Sequence, residues 1–323
     1  MHGDPLLEVS CAMPHDVLLL HQALSSLAVA PACTIQVGNC GTAMRFLTAY
    51  CAQLRGCDVV LTGEPRMLHR PIGQLVDALR HLGADIDYLA EPLFPPLHIK
   101  GKRLNLPSEP IPLSKLDSTQ FASSLILIGV PVQVDEDSPY IRLSRAMVSD
   151  YHRAMAQHLP LDWAAAAFFY EYIAIHGGAA HFPGLSLHSL QADRAVVDLF
   201  ALLGVRTCAT NEGVFIERVA SATRRVEWSF ASCPDLYPAA AITCARLGIT
   251  LVPSDLQRQA LKESNRIYTV DGLCRTPIGL CVPTAHDHRI AMAALAADCP
   301  VDDERCVAKS FPLFIKQLCR LRS

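Results

Sequence analysis

One short pattern occurs twice and constrains this chain more than any other feature. Residues 72–86 (Ile-Gly-Gln-Leu-Val-Asp-Ala-Leu-Arg-His-Leu-Gly-Ala-Asp-Ile) place apolar side chains at helical spacing, stop on Gly83 and continue in the alternation of a strand. Residues 195–207 repeat it, with Asp198 and Gly204 six positions apart as Asp77 and Gly83 are. Each glycine stands where a helix needs a left-handed terminal residue. The spacing predicts one helix-then-strand unit used in both halves. At 323 residues the chain is long enough for two domains of roughly 150 residues each, and two domains imply a cleft.

Further helices are expected over residues 16–27, after Thr42, and over 164–175 and 238–247, with a strand at 58–61. Helices alternating with short strands indicate an α/β or α+β fold without deciding strand order. Proline and charge concentrate at residues 91–96, 135–139 and near Pro160. Pro160 precedes the helix start at Asp162-Trp163, so the expected domains are residues 1–160 and 161–323.

Composition removes several classes of function. Hydrophobic residues make up 51% and charged residues 18%, which suits a folded protein and not a disordered one. A net charge of −3, with no basic tract, offers no field to gather nucleic acid or an anionic membrane. The 13 cysteines are odd in number and show no CxxC spacing, so reduced thiols are expected in place of disulfides or a zinc site. The first residues lack the pattern of a secretory signal. The apolar run 164–175 is interrupted by Glu171 and falls short of the ~20 residues a membrane span needs. A cytoplasmic protein without a membrane partner is the expectation.

The residues able to do chemistry come in separate clusters. Gly38-Asn-Cys-Gly41-Thr42-Ala-Met-Arg45 can aim backbone N–H groups at an anion from a helix start, although a glycine turn with a threonine N-cap is more often only that. Gly63-Glu64-Pro65-Arg66 presents a guanidinium, which matches phosphate or carboxylate geometry; pairing of Arg66 with Glu64 is the plainer alternative. Ser118-Thr119-Gln120 lead an apolar helix and can bind or simply cap it. Asp235, after Pro234, fits a helix cap as well as a base. Lys262, Glu263 and Arg266 share a face if their segment is helical, as a surface salt bridge would. His286-Asp287-His288-Arg289 precede a helix over 290–297; the His-x-His spacing lacks a third ligand, so no metal is expected. Lys309 completes a set of cations and carboxylates suited to an anionic substrate and proton transfer. No GxSxG elbow, Walker A loop or GxGxxG follows a strand, which sets aside hydrolase, kinase and dinucleotide readings.

In this order, GNCGTAMRFLTAY, LTGEPRMLHRPIGQLVDALRHLGADI, DSTQF, SPYI, PDLYPAAAITCARLGI, LKESNRI, HDHRIAMA and CVAKSFPLF resemble the 5-enolpyruvylshikimate-3-phosphate (EPSP) synthase family. The resemblance implies two domains built from repeated helix and strand units that close on substrate. It also implies transfer of the enolpyruvyl group of phosphoenolpyruvate to the 5-hydroxyl of shikimate 3-phosphate, with no cofactor. By the same resemblance Gly41, Arg66, Gln120, Arg266, His288, Arg289 and Lys309 surround phosphoenolpyruvate, and Ser118, Thr119, Gln120, Tyr140, Asp235 and Lys262 surround shikimate 3-phosphate. Asp235 is then the base for the 5-hydroxyl, Glu263 exchanges the proton of the methylene carbon, and Lys309, at the phosphate of phosphoenolpyruvate, completes the catalytic set.

The Lys-Ser-x-Ser-x-Arg motif with which the family opens does not occur, and the resemblance begins near Asp16. It also shortens after Ile141 and after Arg266, so the likeness is to an N-terminally truncated, internally shortened member. Two alternatives stay open on that account: a catalytically impaired relative or partial gene product that binds a ligand or partner, and an enolpyruvyl transferase with another acceptor alcohol. Missing repeat pieces would also leave faces that an oligomer could cover.

Overall fold

The computed structural model describes residues 13–135, 138–149, 162–221 and 223–322. The chain divides into two compact units, Met1–Tyr151 and His152–Ser323. The boundary expected at Pro160 lies outside the described residues.

Unit 1 runs through α1 (His15–Val29), β1 (Ala32–Gln36), α2 (Gly41–Gln53), β2 (Asp58–Thr62), α3 (Gly73–His81), β3 (Asp85–Tyr88), β4 (Leu97–Lys100), β5 (Ile111–Leu113), α4 (Thr119–Leu127), β6 (Val132–Val134) and α5 (Pro139–Ser149). Its sheet has the order β1-β2-β4-β3, with β1 and β2 parallel and the other pairs antiparallel. A short parallel pair, β5 with β6, stands apart. The core gathers Met44 and Leu47 of α2, Val59 and Leu61 of β2, Leu75 and Leu79 of α3 and Phe121 of α4.

Unit 2 contains α6 (Trp163–His176), β7 (Ala179–Pro183), α7 (Val196–Leu202), β8 (Val205–Ala209), β9 (Gly213–Arg218), β10 (Arg225–Ser229), α8 (Tyr237–Leu247), β11 (Thr250–Ser254), α9 (Arg266–Arg275), α10 (His288–Ala296) and α11 (Phe314–Arg322). Helix α6 is apolar nearly all round and runs through the core, its Asp162 capping the first turn by accepting from the Ala164 N–H. Phe168, Phe169, Phe311 and Phe314 pack edge to face around it.

The repeated pattern is a repeated structure. Gly83 ends α3 at φ +92° and Gly204 ends α7 at φ +86°, values that side chains with a Cβ rarely adopt. Each is followed by a strand that pairs antiparallel with the next one, β3 with β4 and β8 with β9. The third strands match as well: β2 lies against β4, and β7 against β9, both antiparallel. Unit 1 extends its sheet with β1. In unit 2 the described residues form a sheet of order β7-β9-β8, and the stretch ahead of Asp162, where a counterpart of β1 would fall in the sequence, lies outside them.

Candidate functional site

In unit 2 the expected residues converge on two short 3-10 turns and two helix starts. Pro234–Leu236 is a 3-10 turn with proline at its first position, and it carries Asp235 into the start of α8. Gln257–Leu261 is a second such turn, after which the backbone bends through Lys262, Glu263 and Ser264 before α9 begins at Arg266. The shared helical face considered for Lys262, Glu263 and Arg266 therefore does not form. The three meet because the bend folds their side chains toward Asp235. Asp287 is the N-cap of α10, its Oδ1 accepting from the Arg289 N–H at 3.0 Å. Lys309 ends the turn Arg305–Lys309.

Around Asp235 the cations close in. Lys262 Nζ lies 3.1 Å and Arg266 Nη1 2.8 Å from Oδ1, and Arg289 Nη2 lies 3.2 Å from Oδ2. Arg266 Nη2 reaches Glu263 Oε2 at 2.8 Å, and Lys309 Nζ reaches Glu263 Oε1 at 2.7 Å. The Arg266 side chain is 1% exposed and rests on Asp287, which is fully buried: Nε donates to Oδ2 at 2.7 Å and Nη2 to Oδ1 at 3.0 Å. Ser264 Oγ donates to the same carboxylate at 3.0 Å. Four cations (Lys262, Arg266, Arg289, Lys309) thus face three carboxylates (Asp235, Glu263, Asp287), with Asp162 and Asp193 also acting on Arg289.

Burial would raise the Asp235 carboxyl, but Arg289, Lys262 and Arg266 outweigh it and hold the group well below the usual carboxylate range. Asp287 is likewise held low against burial, chiefly by Arg266. Burial would lower Arg266, yet Asp287, Glu263 and Asp235 raise it, so it stays charged. His288 is pushed down to about 3, first by burial, with Arg289 and Lys309 adding to it against Glu263, so its ring is neutral at neutral pH. Its Nδ1 is buried without a hydrogen-bond partner among the described residues. Clustered guanidinium and ammonium groups can bind an anion, and ionised carboxylates beside them can take up protons.

In unit 1 the turn before α2 and the turn after β2 are bonded together, Glu64 N–H donating to Gly38 O at 3.0 Å. The N-cap of α2 is Cys40, whose Sγ accepts from Ala43 N at 3.3 Å; the threonine cap considered from the sequence is not used, and Thr42 lies in the first turn. Its hydroxyl instead accepts from Gln120 Nε2 at 3.0 Å. Gly41 is buried under two guanidinium groups. A Cβ there would lie 2.5 Å from Arg45 Nη1 and 2.9 Å from the Arg70 nitrogens. Arg66, half-buried, opens the 3-10 turn Met67–His69. Ser118 caps α4, Thr119 and Gln120 form its first turn, and Tyr140 lies in the first turn of α5; all four are half-buried.

Three participants escaped the sequence reading. Asp287 reads as one letter of a charged run, Arg70 as a loop arginine and Gln259 as a polar residue of an unremarked segment. Only for Asp287 was there a signal, a helix-capping acid beside two histidines. Among the described residues, no three His, Cys, Asp or Glu side chains are placed to hold a metal ion, and no helix is long and apolar enough to cross a membrane.

Comparison with known proteins relates the chain to one family. Residues 13–158 fit the family model of EPSP synthase (3-phosphoshikimate 1-carboxyvinyltransferase). The chain is 31% identical to the 3-phosphoshikimate 1-carboxyvinyltransferase of Bacteroides fragilis, over 86% of its own length and 80% of that protein's. It is 30% identical to that of Methanoculleus marisnigri, over 88% and 78%. The solved structure of EPSP synthase from Acinetobacter baumannii shares the fold at a TM-score of 0.64 and 23% identity, covering 90% of this chain and 79% of that one. With its repeated helix and strand units and an identity above 30% sustained along most of its length, the chain belongs to the EPSP synthase family.

Proposed function

We propose that the chain transfers the enolpyruvyl group of phosphoenolpyruvate to the 5-hydroxyl of shikimate 3-phosphate and releases phosphate. The observation that carries this reading is the Asp235 centre, where Lys262, Arg266 and Arg289 surround one carboxylate and Lys309 holds another, Glu263.

The substrates bring phosphate and carboxylate groups, which compete with Asp235 and Glu263 for the same cations. In unit 2, Arg266, Arg289 and Lys309, with His288 beside them, take phosphoenolpyruvate and Lys262 takes shikimate 3-phosphate; for unit 1 the family resemblance names Gly41, Arg66, Ser118, Thr119, Gln120 and Tyr140 as substrate residues. As cations turn to the substrate anions, Asp235 recovers proton affinity. Glu263 takes up a proton from solvent as Arg266 turns to the substrate; Asp235 then accepts the proton of the 5-hydroxyl while that oxygen bonds to C2 of phosphoenolpyruvate, and C3 takes the Glu263 proton to become a methyl group. Elimination breaks the bond from C2 to the phosphate oxygen. The methyl group returns its proton to Glu263, the double bond re-forms, and the Asp235 proton leaves with the phosphate. Lys309, 2.7 Å from Glu263, steadies that carboxylate through both transfers. The twelve free cysteines among the described residues suit a reducing compartment, so the reading puts the reaction in the cytoplasm.

Phosphate release measured with both substrates, beside calorimetry with each alone, tests the reading. Release that needs both substrates is the expected outcome. Binding of phosphoenolpyruvate without release would point to another acceptor alcohol, and binding of neither would sink the enzymatic reading.

A further inference from the structure

Behind the Asp235 turn lies a side chain that the reaction leaves unused. Gln259 is fully buried in the 3-10 turn Gln257–Leu261, and its Nε2 donates to the Pro234 carbonyl at 2.6 Å, across 25 positions of sequence. The same carbonyl accepts the Tyr237 N–H that closes the Pro234–Leu236 turn. Gln259 Oε1 is buried with no hydrogen-bond partner among the described residues. A buried amide with one half unsatisfied is a costly way to fill space, and an apolar side chain of similar volume would pack without that penalty. What only the amide supplies is the bond to Pro234.

Three residues further on, Lys262 reaches Asp235 Oδ1 at 3.1 Å. One short segment therefore grips the turn at two adjacent points, the peptide ahead of Asp235 and the carboxylate itself. The two grips differ in kind. An ammonium attracts a carboxylate over a broad range of directions, whereas an N–H donated to a peptide carbonyl prefers a near-linear approach close to the carbonyl plane. Lys262 lends Asp235 its charge balance; Gln259 sets the orientation of the peptide from which Asp235 projects. Without that second hold the turn is free to rotate, and the carboxylate, drawn by Lys262, Arg266 and Arg289 from different sides, loses its fixed direction.

We propose that Gln259 is a positioning residue for Asp235, its bond to the Pro234 carbonyl fixing the turn that presents the carboxylate to the acceptor hydroxyl. This rests on the reading of Asp235 as the proton acceptor.

Gln259→Met keeps the volume and removes both the donor and the unpartnered oxygen, so the variant should melt at or above the temperature of the parent chain. Its kcat for phosphate release should fall by about 10²-fold, with KM for phosphoenolpyruvate unchanged because the cations are intact. Gln259→Glu adds a readout that a purely structural role would not move. With its carboxyl protonated the side chain again donates to Pro234 O, so kcat should approach the parent value at low pH and drop to the Gln259→Met value as pH rises. Gln259→Met should show no such step. Equal kcat in the parent and Gln259→Met, or a loss of kcat matched by a lowered melting temperature and no pH step in Gln259→Glu, overturns the assignment. Absence of phosphate release in the parent chain instead strikes the proposed function, and the positioning role falls with it.

Discussion

At the scale of single residues, Asp287 decides whether the centre around Asp235 can exist. It is fully buried, bonds Arg266 through both oxygens, accepts from Ser264 and caps α10. Buried arginine is tolerated only where its charge is met, and breaking such a pair from one side leaves the other ion without compensation. Asp287→Asn keeps the capping oxygen, removes the charge and sets an amide donor in place of Oδ2, which accepts from Arg266 Nε and Ser264. The variant should lose about 3–5 kcal/mol in urea unfolding, and a loss below 1 kcal/mol would show that Arg266 is neutralised well enough by Asp235 and Glu263. Gly41 illustrates a different residue-level constraint. The sequence suggests a helix start that could face an anion, and the fold adds that two guanidinium groups occupy the space a Cβ would need. That packing is invisible in the motif because Arg70 is 29 positions away from Gly41.

At the scale of elements, the strongest anomaly sits in α6. Glu171 is fully buried among apolar side chains, and neither carboxylate oxygen has a hydrogen-bond partner among the described residues. Burial raises its carboxyl well above the ordinary value, Arg246 of α8 only partly opposes this, and Cys299, beyond α10, adds to the rise. A group whose folded value lies above the unfolded one, about 4.3 for glutamate, contributes stability that is complete below that value and lost as pH climbs through the folded one. Glu171→Met should therefore stabilise the chain by about 1–3 kcal/mol, with an advantage that widens as pH rises above the unfolded value of about 4.3 in chemical denaturation; an advantage independent of pH would rule out titration of Glu171 as its source. Elements were legible where local chemistry dictates them. The glycine stops at Gly83 and Gly204 and the Asp162 cap are backbone events settled within a few residues. The bend at Lys262–Ser264 was not legible, because the alternative helix has the same spacing and loses only to long-range bonds such as those from Ser264 to Asp287.

At the scale of the whole molecule, the charges of the site should govern how the protein responds to acid. His288, pushed down to about 3, takes no proton in the folded chain at pH values where the unfolded chain does, so stability declines as pH falls from about 6.5 toward 3. Asp235 and Asp287 are held below their ordinary range, so their contribution is present above about pH 4 and lost as pH falls further. Urea unfolding between pH 3 and 7 should show a gentle decline that steepens below pH 4, and Asp287→Asn should flatten the steep part; a flat profile in the parent chain would contradict the ionic account. The sequence alone carried the helix-glycine-strand repeat, the resemblance to the family and the residue types from which a site could be made, because helix stops, caps and motif order are written within short stretches. Tertiary structure alone decided which of those residues meet. Asp235, Lys262, Arg266, Asp287, Arg289 and Lys309 come together because α8, α9 and α10 pack on one another over a common core. The force that then makes Asp235 a held carboxylate and His288 a neutral ring depends on distance and loss of solvent, and neither quantity is encoded in sequence spacing.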